Sequence, residues 1–123
     1  NEGRVLFLGW SYKPGVGDAR ETPATPLAQD LIDAGITVST WDPYLKENGI
    51  PNGINILNGM DEVDGFDMVV LATAHPEFAD IDWKALLKSM RTPLVYDGRR
   101  VLDLDALRSL GWSTHAVGQP LRD

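Results

Sequence analysis

The sequence predicts an α/β fold, a Rossmann-like three-layer domain with a mostly parallel sheet flanked by helices. Three observations carry that expectation. Short, almost wholly apolar runs, Val5 to Leu8 and Met68 to Ala72, read as strands buried on both faces. Elsewhere apolar residues recur at helical spacing, as in Ala24, Leu27, Ala28, Leu31 and Ile32, which form one stripe of an amphipathic helix. Strands and helices alternate along the chain, the pattern of a parallel sheet covered by its crossover helices.

The elements follow in order. Arg4 to Gly9 is the first strand, left through the glycine-rich stretch Gly9 to Pro23. Thr22 or Thr25 can cap the helix that follows, Pro23 or Pro26 suits its first turn, and Gly35 ends it. Ile36 to Trp41 alternates and is rich in Ile, Val and Thr, a second strand that stops at Asp42-Pro43. Pro51, Asn52-Gly53 and Asn58-Gly59 are turn signals around the short apolar stretch Ile54 to Leu57, and Asp61 to Gly65 suggests a helical turn. Asp67 to Ala72 is a buried strand. Residues 82–90 place Trp83, Leu86, Leu87 and Met90 on one helical face. Leu94-Val95-Tyr96 is a short strand ending in Asp97-Gly98-Arg99-Arg100, then a helix near Asp105 to Leu110 precedes a last strand, Trp112 to Val117.

At 123 residues the chain suits one domain with one core, and it carries no repeat or interdomain linker. The first strand begins almost at once after Asn1-Glu2-Gly3, which suggests a domain cut from a longer chain. No apolar run approaches the roughly 20 residues needed to span a bilayer, and no basic-then-apolar leader opens the sequence. Cytoplasmic location is the expectation. Zero cysteines exclude disulfides, thiolate metal sites and a cysteine nucleophile within these residues. A net charge of -7 argues against nucleic-acid binding, which needs a basic footprint. Four of the 11 cations, Lys13, Arg20, Arg99 and Arg100, nevertheless fall in just two loops.

Those loops survive a sorting of the chemical candidates. The stretch after the first strand is no P-loop, because its lysine precedes Gly15 and no Ser or Thr follows in register. It is no dinucleotide fingerprint either. Gly15-Val16-Gly17-Asp18-Ala19-Arg20 puts a bulky cation where the third small residue must pack. Asp42 can mimic a ribose-binding acid, but an acid before proline more often opens a turn. His75-Pro76-Glu77 lacks zinc-site spacing, His115 reads as a structural strand histidine, and no serine has a nucleophile-elbow context. No catalytic residue and no metal ligand is therefore assigned. The four tryptophans read as core and interface residues. If the strands before the two cationic loops are parallel and central, lysine and arginine converge on one rim and can clamp a pyrophosphate. Ordinary surface ion pairing remains the alternative at this level.

These same residues resemble the C-terminal domain of the UDP-glucose/GDP-mannose dehydrogenases. That family's pattern is a strand, Gly-x-(Ala/Ser)-(Phe/Tyr)-Lys, a variable loop and Asp-x-Arg-Glu-(Ser/Thr)-(Pro/Ser). The chain has Gly9-Trp10-Ser11-Tyr12-Lys13 and Asp18-Ala19-Arg20-Glu21-Thr22-Pro23. Trp41-Asp42-Pro43, Thr73 to Phe78, Asp97-Gly98-Arg99 and Gly111 to Gly118 also match, in order and over nearly the whole chain. Tyr12 stands where phenylalanine is usual and Thr22 where serine is, keeping the ring and the hydroxyl.

The resemblance implies that residues 1–123 are the UDP-sugar-binding part of an NAD-dependent UDP-sugar 6-dehydrogenase. Such enzymes oxidise the sugar C6 alcohol to a carboxylate in two hydride transfers. NAD and the catalytic cysteine belong mainly to an N-terminal domain, so the isolated domain is expected to be inert. By resemblance, Tyr12 and Lys13 line the UDP-sugar site, Arg99 meets its phosphates, and Arg20 reaches the NAD pyrophosphate. The implied partners are the N-terminal and central domains and, at full length, a second copy in a homodimer; no nucleic acid or membrane is implied. UDP-glucose is the favoured substrate, because Asp-Gly-Arg followed by Arg looks like the UDP-sugar branches. A UDP-N-acetylmannosamine or GDP-mannose dehydrogenase domain, or a non-catalytic nucleotide-binding module, stays open as an alternative.

Overall fold

Every strand predicted from the sequence forms, and all pair in parallel. A computed structural model of the chain describes residues 3–10, 24–42, 53–73, 78, 80–98 and 102–116. Its order is β1 (Arg4–Leu8), α1 (Ala24–Asp33), β2 (Thr37–Trp41), β3 (Ile54–Ile56), a 3-10 turn (Met60–Glu62), β4 (Met68–Leu71), α2 (Trp83–Lys88), β5 (Leu94–Asp97), α3 (Leu104–Leu110) and β6 (Ser113–Ala116). The strands lie in the order β3-β2-β1-β4-β5-β6. β1 is therefore central, with Phe7 opposite Thr40 on one side and Val70 on the other.

The two-residue alternation of β1 distributes its side chains to two cores. Val5 and Phe7 join Ala28, Val38 and Val70 on the α1 side. Leu6 and Leu8 join Val69, Leu71, Val95, Leu86 and Leu107 on the side of α2 and α3. This division follows from handedness. Right-handed crossovers that step from β1 out to β2, and from β4 through β5 to β6, must place their helices on opposite faces. A strand buried on both faces has no solvent side, which is why β1 reads as continuous apolar sequence rather than as alternation.

Element ends differ from the sequence reading where local capping decides. α2 is shorter than residues 82–90. The Asp82 side chain accepts the Ala85 N–H at 3.0 Å and opens it, and the helix closes at Ser89. Met90 leaves the helix and bridges Phe66 instead, aligning the start of β5 with β4. Thr25 lies within α1, and Thr22 and Pro23 fall outside the described residues. α3 begins one residue earlier than Asp105, capped by Asp103 and closed by Gly111 at φ 115°.

Two rims of the sheet are built differently. At the amino rim Asp67 collects β1, β4 and β5. Its carboxylate accepts the Arg4 N–H at 2.9 Å and the Thr92 hydroxyl at 2.9 Å, and it pairs with the Arg91 guanidinium. The Arg91 hydrogen bonds, with the Arg4 N–H and Thr92 contributing, hold the Asp67 carboxyl well below the usual carboxylate range against the opposing effect of burial. At the carboxyl rim backbones approach closely. Gly9 has φ 88°, and a Cβ placed on it would lie 2.5 Å from the Thr73 Cβ.

Gly9→Ala is expected to cost more than about 1–2 kcal/mol, combining left-handed strain with the Thr73 clash. Urea midpoints check it; a loss below a few tenths would contradict this packing. For Asp67 the folded-state pKa is depressed, so its stabilisation is present above the ordinary value near 3.9 and fades as pH falls towards the folded value. Asp67→Asn should therefore be less stable than wild type at about pH 7, with the gap narrowing below about pH 4. A gap that stays constant down to about pH 2.5 would contradict the depressed carboxyl.

Candidate functional site

Because every paired strand runs the same way, the carboxyl ends of β2, β1, β4 and β5 share one rim. The chain steps from β1 to β2 on one side, while β4 begins the other side. The β1–β4 boundary is thus the topological switch point, where open α/β sheets form ligand crevices. This strand order is also the one described for dinucleotide-binding Rossmann folds.

Buried polar groups and glycines stand at that boundary. Asp42, at the end of β2, is 8% exposed, and its Oδ2 accepts the Trp10 N–H at 2.8 Å. Asp42 thereby ties the start of the β1 loop to β2, and the Trp10 ring seals the α1 core against Phe7 at 5.7 Å. This is a structural task for Asp42, as its place before Pro43 suggested. Thr73, fully buried, sits under Gly9, and the Ala72 N–H donates to the Leu8 carbonyl at 3.0 Å. Asp97, fully buried at the end of β5, accepts the Leu102 N–H through Oδ2 at 2.7 Å. The Gly98 N–H donates to the Leu71 carbonyl at 3.0 Å, and a Cβ on Gly98 would come within 2.8 Å of that oxygen. The close approach that Gly98 permits is thus to the backbone of β4.

Tyr12, Lys13, Arg20 and Arg99 lie outside the described residues, as do Arg100 and His75. The described residues fix the roots of their loops. Trp10 stands two positions before Tyr12, and Gly98 immediately precedes Arg99. β1 and β5 are central strands separated only by β4. Their loops therefore leave the sheet about 10 Å apart, two strand spacings. The strand ends that precede the two cationic stretches thus share one rim.

The other candidates resolve as follows. Among the described residues no group of three His, Asp or Glu can hold a metal. His115 lies in β6 opposite Tyr96. Trp10 and Trp112 are buried, and Trp83 packs edge-on against Trp112, with the Trp112 indole N–H donating to the Trp83 carbonyl at 3.1 Å. No helix of the described residues is long and apolar enough to cross a membrane.

A feature the sequence did not reveal is a pocket of about 420 Å³ on the α2 side, walled by Trp41, Met60 and Leu86 with Asp61, Asp80 and Asp82. Its walls come from separate segments, so no single motif announces it. The one available signal was the lack of an amphipathic stretch between β3 and β4, where only the turn Met60–Glu62 covers the sheet. Three carboxylates repel a diphosphate, so this pocket is electrostatically wrong for nucleotide phosphates.

Comparison with known proteins bears on the same surface. The family described as the UDP-glucose/GDP-mannose dehydrogenase family, UDP binding domain, matches residues 6–104. The UDP-glucose 6-dehydrogenase of Rickettsia conorii is 29% identical over 122 residues, covering 95% of this chain and 28% of its own length. The UDP-N-acetyl-D-mannosamine dehydrogenase of Pyrococcus horikoshii is 33% identical over 102 residues, 83% of this chain and 23% of that protein. Among solved structures, the NDP-N-acetyl-D-galactosaminuronic acid dehydrogenase of Methanosarcina mazei superposes with a TM-score of 0.84 at 25% identity, covering 97% of this chain and 25% of that one. The chain thus spans about a quarter of the length of the relatives it matches. On the family match, its extent and the shared fold, the chain belongs to the UDP-glucose/GDP-mannose dehydrogenase family and is its UDP binding domain.

Proposed function

We propose that residues 1–123 form the nucleotide-sugar-binding C-terminal domain of an NAD-dependent UDP-sugar 6-dehydrogenase, and that the carboxyl rim of β1, β4 and β5 receives the UDP moiety. The observation that carries this reading is that β1 and β5, the strands preceding the two cation-bearing stretches, end on one rim on either side of β4 in a chain of this family. Lys13 and Arg99 grip the diphosphate from its two sides, and Tyr12 offers a ring to the base or sugar. Arginine suits this role because its planar fork meets two phosphate oxygens at once.

NAD, which accepts the hydride when bound, belongs mainly to the rest of the parent enzyme. The sequence supports this division. The Rossmann strand order is present here, but the loop after β1 puts Arg20 where a fingerprint glycine or alanine must pack. In our reading Arg20 instead extends across the interdomain cleft to the dinucleotide pyrophosphate. The catalytic cysteine lies in the parent chain, since these residues contain none. A homodimeric, cytoplasmic parent accompanies the reading. UDP-glucose is the proposed substrate. An N-acetylated UDP-hexosamine is the second reading, favoured by the 33% identity to a mannosamine-type relative.

Arg99→Ala in the parent enzyme should raise the KM for UDP-sugar about 10- to 100-fold, the value of a charged hydrogen bond or two. Unchanged KM and kcat would sink its phosphate role. Arg20→Ala should raise the KM for NAD more than that for UDP-sugar in steady-state kinetics, and the opposite ranking would count against its assignment. A direct comparison of UDP-glucose, UDP-N-acetylmannosamine and GDP-mannose turnover decides the sugar. Preference for the second or third would displace UDP-glucose.

A further inference from the structure

We infer that Asp97 is a positioning residue for Arg99: its buried carboxylate holds Leu102, where the described chain resumes, beside the strand end from which the chain departs. The inference rests on the proposed contact between Arg99 and the diphosphate. Asp97 is the last residue of β5 and is fully buried, held in register between Leu71 of β4 and Ala116 of β6. A carboxylate is an expensive group to place there, and an apolar residue would serve the core at lower cost. One hydrogen bond it makes spans the segment after β5. The chain leaves the sheet at Asp97, and five residues later its Leu102 N–H lies 2.7 Å from the same carboxylate.

Both ends of the loop are thereby secured. Gly98, at the outgoing end, is pinned to the Leu71 carbonyl at 3.0 Å, at a separation that leaves no room for a Cβ. At the returning end, Leu102 packs against the core and Asp103 caps α3 by accepting the Ala106 N–H at 3.0 Å. Arg99 sits in the short span between these fixed points. A side chain carried on a closed loop loses less conformational freedom on binding than one carried on an open loop. Asp97 therefore acts through the loop and touches no substrate.

The nearby carboxylates have other tasks. Asp103 and Asp105 are exposed on α3, and Asp105 pairs with Arg108 at 2.8 Å. Asp42 performs the matching task at the other loop, by holding the Trp10 N–H at 2.8 Å. Asp97 alone among them stands two positions before the arginine assigned to the phosphates.

The test measures competitive inhibition of the parent enzyme by UDP and by uridine, which lacks the diphosphate. Asp97→Ala is expected to raise the inhibition constant of UDP roughly tenfold or more, and that of uridine less than about threefold. Asp97→Asn keeps an oxygen that accepts the Leu102 N–H and should stay within about threefold of wild type for both. Insertion of two glycines between Arg100 and Val101 adds slack that folding tolerates, and should reproduce the selective loss for UDP even if Asp97→Ala fails to fold. Equal weakening of UDP and uridine by the variants would overturn positioning in favour of a general structural role, and so would an unaffected UDP constant in the insertion variant. Arg99→Ala separates the two claims. An unchanged UDP constant there defeats the phosphate reading itself, whereas a raised one beside an unaffected insertion variant defeats only the role of Asp97.

Discussion

Everything functional in this domain depends on the pairing of β1 with β4. That contact joins the half of the sheet built outwards through β2 and β3 to the half built through β5 and β6. With β1 and β4 paired in parallel, right-handed crossovers send α1 to one face and α2 and α3 to the other. The switch in direction falls at their carboxyl ends, the place where open α/β sheets bind ligands. Gly9 over Thr73, and Gly98 against Leu71, let the loops of β1 and β5 root close to that boundary. The two ends of the same strands show a division of labour. Asp67 fastens the amino rim with an ion pair and hydrogen bonds, leaving the carboxyl rim to glycines and inward-turned carboxylates that shape loops.

The fold was legible because its strands are buried on both faces. Val5 to Leu8 and Met68 to Leu71 have no solvent side, so they read as unbroken apolar runs bounded by turn residues. Helix ends were less legible. The length of α2 is set by the Asp82 side chain and by the competing bridge from Met90 to Phe66, a contact 24 residues apart in sequence that local periodicity cannot contain. Asp67 was equally silent, because its partners arrive from positions 4, 91 and 92, which only the folded sheet assembles.

For the site, the motifs separated cleanly into two kinds. Gly9, Trp10, Asp42, Thr73, Asp97 and Gly98 prove to be framework, buried or pressed against a neighbouring strand. The cationic motif positions, Lys13, Arg20 and Arg99, follow that framework in sequence and lie outside the described residues. This explains why one glycine-rich stretch resembled a phosphate loop yet matched neither standard pattern. Gly9 serves close packing between strands, and in the proposed reading the cations meet phosphate. The acidic pocket by Trp41 and Leu86 could not be read from sequence, since its walls are distant in the chain. Its charge keeps it out of the nucleotide account.

The central claim is that UDP occupies the carboxyl rim at the β1–β4 boundary, and the most direct measurement is amide hydrogen exchange of the chain with and without saturating UDP. Protection should rise at Gly9, Trp10, Thr73, Gly98 and Leu102, with Arg4, Asp67 and Arg91 at the opposite rim unchanged. Protection centred on the amino rim or on the pocket by Trp41, or no change anywhere at saturation, would contradict it.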